Sequence, residues 1–134
     1  MLNLHEVKIS DVIKSEHLTT CLKTDTIDEV VEVLQSTRLG SIVIVDKNSK
    51  VEGIFTERDY VMKIAGFNID TDQETVGSYM TPKPTTLKPT ASMAEAISKM
   101  QSGRFRHLII ADENNVLVNI LSQRDLLDFI IKNL

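Results

Sequence analysis

Apolar side chains recur along this chain in two alternating rhythms. Ile27, Val30, Val31 and Leu34 fall at i, i+3, i+4 and i+7, as do Met93, Ala96, Ile97 and Met100, so each set lines one face of a helix. Ahead of them stand Thr26-Ile-Asp-Glu29 and Ser92-Met-Ala-Glu95, the hydroxyl-x-x-carboxylate spacing of a capping box at a helix start. Continuous runs follow: Ser41 to Val45 and Val51 to Phe55, then His107 to Ala111 and Val116 to Leu121, each pair joined across a polar turn beginning at Asp46 or Asp112. Such runs predict strands covered on both faces. A second helix is predicted from Glu57 to about Ala65 and from Gln123 to about Lys132, and short extended pieces at Thr19 to Leu22 and Thr85 to Lys88 lead each series.

The rhythm is the same twice because the chain is a duplication. Displaced by 66 residues, it places Thr19, Thr20, Thr24, Glu29, Gln35, Ser36, Arg38, Ile44, Asp46, Asn48, Ile54, Arg58, Asp59 and Ile64 on identical residues. Ile9 to Ile13 aligns with Val76 to Met80 once a one-residue insertion is allowed. The reading is an α/β (α+β) fold of two β-α-β-β-α repeats, residues 9–66 and 76–134, joined by an acidic linker over 67–75. Neither repeat buries enough apolar surface to be comfortable alone, so the two are expected to pack with pseudo-twofold symmetry, leaving clefts between them.

Composition narrows the function classes. A formal net charge of −4 and scarce aromatics, 4% with no Trp, argue against a nucleic-acid binder. Cys21 is alone in the sequence, so neither a disulfide framework nor a cysteine metal cluster is expected, and it reads as a small buried apolar residue. His5 and His17 have no Cys or His neighbour at ligand spacing, so no metal site is expected. No apolar run approaches the roughly 20 residues needed to cross a bilayer, and Met1 to Glu6 lacks the apolar stretch of a signal peptide. A cytoplasmic chain without membrane contact is expected. There is no Gly-x-Ser-x-Gly, no P-loop and no His-Glu-x-x-His, so no enzymatic chemistry is expected.

The order β-α-β-β-α, its tandem pairing, Gly53-Ile-Phe-Thr-Glu-Arg-Asp59 and Arg104-Phe-Arg-His-Leu-Ile-Ile110 resemble a pair of cystathionine-β-synthase (CBS) domains, a Bateman module of the standalone bacterial type. The resemblance spans nearly the whole chain. It implies a regulatory ligand rather than a required cofactor: AMP, ADP, ATP or S-adenosylmethionine, held between the repeats. Gly53, Thr56 and Asp59 match the family signature in full, whereas the second copy keeps Ser122 and Asp125 but has Asn119 in place of glycine. By resemblance, the aspartates take ribose hydroxyls and Thr56 or Ser122 lies near the phosphate. Backbone at the first strands, including Thr20 and Thr86, holds the adenine, and Arg106 and His107 reach the phosphates from the partner repeat. Homodimerisation and an unidentified effector protein are also implied.

Physical chemistry runs parallel to the resemblance. A carboxylate accepts strong charge-assisted bonds from vicinal hydroxyls, a helix start suits a phosphate, and Gly53 leaves strand backbone open to approach. The competing reading is that Thr56-x-x-Asp59 and Ser122-x-x-Asp125 are plain caps. Gly40 and Ser41 stand where the second copy has Arg106 and His107, which predicts unequal clefts, the better anion site combining Thr56 and Asp59 with Arg106 and His107. Arg58 and Arg124 oppose a helix dipole and call for a partner, whereas Arg38 and Arg104 fall where they complement one. Met62, Met80, Met93 and Met100 read as core or interface filler. A ligand-free dimerisation or docking module is the alternative function.

Overall fold

The computed structural model describes residues 2–13 and 18–134, so His17 lies outside the described residues. Strand β1 (Thr20–Cys21) leads into helix α1 (Ile27–Thr37), strands β2 (Ser41–Val45) and β3 (Val51–Thr56) and helix α2 (Glu57–Lys63). Strand β4 (Thr81–Pro82) follows, and the series repeats as β5 (Thr86–Leu87), α3 (Met93–Gly103), β6 (His107–Ala111), β7 (Leu117–Ser122) and α4 (Gln123–Lys132). The expected mixed α/β order is therefore present twice.

Helices α1 and α3 form where the apolar spacing predicts, burying Ile27, Val30 and Leu34 in one case and Met93, Ala96 and Met100 in the other. Their caps are simpler than full boxes. Thr26 Oγ1 accepts from Glu29 N at 3.2 Å and Ser92 Oγ from Glu95 N at 3.1 Å. The Glu29 carboxylate takes the Thr26 hydroxyl, at 3.0 Å, instead of reaching back to the amide. Arg38 and Arg104 are not in the last turn. They are the C-caps, in left-handed backbone at φ 56° and 55°, and they turn the chain sharply into β2 and β6.

Two sheets result, one ordered β1-β2-β3-β4 and one β5-β6-β7, with β1 and β5 parallel to their neighbours and the remaining pairs antiparallel. Both hairpins carry the same bulge, after Ile44 and after Ile110. Their turns are closed identically: Asp46 Oδ1 accepts from Asn48 N and Lys50 N, and Asp112 Oδ1 from Asn114 N and Val116 N. Strand β2 is buried throughout, as a doubly covered strand should be. Strand β7 departs from that expectation: it ends its sheet among the described residues, only Leu121 is buried, and Val118 is 41% exposed.

The chain divides into two compact units, Thr19–Pro84 and Met1–Leu18 with Thr85–Leu134. Each unit thus joins the body of one repeat to the segment that precedes the other. Ile9, fully buried, and Val12 sit in the core of Met93, Ala96, Met100, Leu108, Ile110, Leu121 and Leu126. Val76, fully buried, sits in the core of Ile27, Val30, Leu34, Ile42, Ile44 and Phe55.

The hydrogen bonds repeat as faithfully. In one unit Ile27 N and Asp28 N, the first free amides of α1, donate to Glu74 O (3.1 Å) and Thr71 O (2.9 Å). In the other, Met93 N and Ala94 N of α3 donate to Val7 O (2.8 Å) and Leu4 O (3.0 Å). Val76 N and Gly77 N bind Asp25 O and Lys23 O, while Ile9 N and Ser10 N bind Ala91 O and Pro89 O. Residues 70–74, inside the expected linker, therefore perform for α1 the task that residues 3–7 perform for α3.

Because Ile9 is buried among residues 80 and more positions away in sequence, Ile9→Ala should cost about 2–5 kcal/mol in urea denaturation. A loss below about 1 kcal/mol would mean that the leading segment is not part of that core.

Candidate functional site

Each β-turn-helix junction is set by one short motif. Thr56 caps α2 by accepting from Asp59 N (3.1 Å), and Asp59 Oδ2 returns the bond by accepting from Thr56 N (3.0 Å). Ser122 and Asp125 do the same for α4 at 3.1 and 2.9 Å. These two are full capping boxes, where α1 and α3 have one-way caps. Aspartate closes the box with a short side chain that must fold back on its own turn, so the carboxylate is held at the strand end.

The two carboxylates differ in what else they meet. Asp59 also accepts from the Thr56 hydroxyl (3.2 Å) and the Thr81 hydroxyl (3.3 Å), and pairs with the Lys63 ammonium at 3.1 Å. Lys63 is held at its other side by the Tyr79 carbonyl, 2.9 Å away. Asp59 keeps only 12% side-chain exposure under these groups. Asp125 is half-buried and accepts on Oδ2 alone; its Oδ1 has no partner among the described residues.

Gly53 has a packing role of its own. Strand β4 lies against it, paired Gly53 to Pro82, and a Cβ at residue 53 would run into the Met80 thioether and come within 3.0 Å of the Thr81 carbonyl oxygen. The segment Tyr79–Pro82 thus fills the space over Gly53, supplies one Asp59 partner in the Thr81 hydroxyl, and holds Lys63 through the Tyr79 carbonyl. In β7 the corresponding Asn119 folds its amide oxygen onto the next amide, Ile120 N, at 2.8 Å.

Arg106 and His107 adjoin the Ser122 motif within their own unit. His107 is opposite Ser122 across the β6–β7 pair, and the Arg106 carbonyl accepts from Gln123 N at 2.9 Å. Ser41 and Gly40 occupy the matching places beside Thr56 and Glu57. Thr20 is exposed on β1. Thr86 is opposite Ile109 in the middle of β6 and lines a groove of about 540 Å3 with Leu87, Lys88, Thr90, Glu95 and Asp112. Arg58 and Arg124 are exposed and make no ion pair among the described residues.

Two features went unnoticed in the sequence. Lys63 stands four residues after Asp59, a standard helical ion-pair spacing, and was legible as such. Thr81 and Met80, more than 20 residues away from the motif, gave no sign. Tyr79 donates to Glu74 Oε1 at 2.6 Å, and that carboxylate holds the phenol above its ordinary range.

Cys21 is a half-buried free thiol whose pKa is pushed up to about 12, mainly by burial and further by the Asp25 charge. A raised pKa favours the protonated form, so this contribution to stability is intact below pH 9 and is lost as pH rises toward 12. At pH 8 iodoacetamide should label the folded chain at least about a hundredfold more slowly than the urea-unfolded chain, since the thiolate is the nucleophile. Equal rates would contradict the burial.

No group of three or more metal-ligating side chains occurs among the described residues, and no helix is long and apolar enough to cross a membrane. Comparison with known proteins agrees with the fold. The CBS domain model matches residues 9–66 and 76–132. An uncharacterized 17.7 kDa protein of Acidianus ambivalens is 36% identical over 101 residues, 75% of this chain and 60% of that protein. The chain spans about three fifths of the length of two curated relatives it matches, this one and a protein of Methanopyrus kandleri. A protein with CBS domains from Burkholderia ambifaria superposes with a TM-score of 0.85 at 25% identity, covering 95% of this chain and 96% of that one. The CBS domain protein PAE2072 from Pyrobaculum aerophilum, solved in complex with AMP, gives 0.80 at 26% identity, covering 89% of each chain. With two matched domains accounting for most of its length, this chain belongs to the CBS domain family.

Proposed function

We propose that this chain is a non-catalytic regulatory module that binds an adenine nucleotide or S-adenosylmethionine and signals through a change in the geometry of its repeats or of a dimer. The observation that carries the reading is the likeness, over 89% of both chains, to a CBS domain pair solved with AMP bound. The residues proposed for the ligand are Thr20 and Thr56 in one unit, and Thr86, Arg106, His107, Ser122 and Asp125 in the other. Asp125 offers an open acceptor to a ribose diol, and Arg106 and His107 supply basic character beside it for a phosphate. Binding would shift an equilibrium only as far as the ligand prefers one geometry.

A homodimer is part of the proposal. Val61 and Met62 on α2 and Leu127 and Ile131 on α4 are 59–67% exposed, an unusual load of bare apolar side chains on two short helices. The same faces favour the second reading, a dimerisation or docking module that needs no ligand.

Thermal melts with AMP, ADP, ATP and S-adenosylmethionine separate the two. A ligand at a hundred times its Kd adds about 2.7 kcal/mol, which raises Tm by several degrees and saturates with concentration. A midpoint indifferent to all four at millimolar concentration would leave the dimerisation reading standing alone.

A further inference from the structure

Resting on the regulatory reading above, we propose that Lys63 is a built-in occupant of the Asp59 carboxylate. The chain then takes one adenosyl ligand, not two, and takes it through the half that carries Asp125.

The argument is a count of lone pairs. A carboxylate presents about four acceptor positions. Asp59 spends two on Oδ2, for the Thr56 amide and hydroxyl, and two on Oδ1, for the Thr81 hydroxyl and the Lys63 ammonium. Nothing is left for a pair of ribose hydroxyls. Lys63 is not a loose surface cation that a ligand could brush aside, because its ammonium also donates to the Tyr79 carbonyl at 2.9 Å. Displacing it would strip a charge-assisted bond from a carboxylate only 12% exposed and leave that carbonyl without its donor.

The terms differ at Asp125. The residue four positions on is Phe129, packed against the core of its unit, so α4 itself offers Asp125 no ammonium. One oxygen closes the capping box and the other has no partner among the described residues. Arg106 and His107 stand on the adjoining strand instead, where the first half has Gly40 and Ser41. In one half an ammonium pairs with the acid; in the other one acid oxygen keeps no partner among the described residues. This reverses the ranking drawn from the family signature, in which the complete motif of the first repeat is the stronger site.

Isothermal titration of the full chain with AMP, and separately with S-adenosylmethionine, tests the inference. Wild type should bind one ligand per chain. Asp125→Asn should weaken binding about tenfold or more, whereas Asp59→Asn, which keeps an oxygen for the Thr56 amide, should stay within about twofold of wild type. The double variant Lys63→Met with Thr81→Val should free Oδ1 of Asp59 and raise the stoichiometry to two. Thermal melts confirm that each variant is folded. Two ligands per wild-type chain, loss of binding in Asp59→Asn alone, or a double variant that still binds one would each overturn the inference while leaving the regulatory reading intact. If wild type binds neither ligand, the regulatory reading falls, and the inference with it.

Discussion

The first amides of a helix have no partners within the helix, and in this chain the backbone of a distant segment supplies them. Leu4 and Val7 give their carbonyls to Ala94 and Met93, and Thr71 and Glu74 give theirs to Asp28 and Ile27. Unmet, these amides would be costly wherever the helix start is covered by core. Meeting them from the backbone positions Ile9 and Val76 to drop into the two apolar cores. Neither repeat body is complete without the segment that precedes the other, so the duplicated unit of sequence and the compact unit of structure are cut at different places.

That exchange also brings in the residues that close over the first of the two motifs. The segment that returns Val76 to its core continues through Tyr79, Met80 and Thr81, and those residues settle over Gly53 and Asp59. A completed signature in the first repeat is thus bound up with its own unit, while the incomplete signature in the second keeps an accepting oxygen. Conformity to a family pattern and readiness to bind are separate properties, decided by neighbours that the pattern does not include.

Much of the fold was legible because it depends on local rules. The helix faces at Ile27–Leu34 and Met93–Met100, the strands around Asp46 and Asp112, and the caps at Thr56 and Ser122 follow from periodicity and from short side chains meeting nearby amides. The 66-residue displacement holds for every strand and helix start from β1 to α2 and from β5 to α4. What the sequence did not show depends on tertiary neighbours. Gly53 packs under Met80, β7 is less covered than expected, and residues 70–74 of the linker cap a helix. Lys63 alone among the missed contacts lay within reach of sequence reasoning.

The account stands most directly on the docking of the leading segment, and native-state hydrogen exchange at the amides of Ile9, Met93 and Ala94 measures it. If the Leu4 and Val7 carbonyls hold α3 as described, these amides exchange slowly and together with Leu108 to Ile110 of β6. Exchange near the unfolded-chain rate at Met93 and Ala94, with β6 still protected, would contradict it.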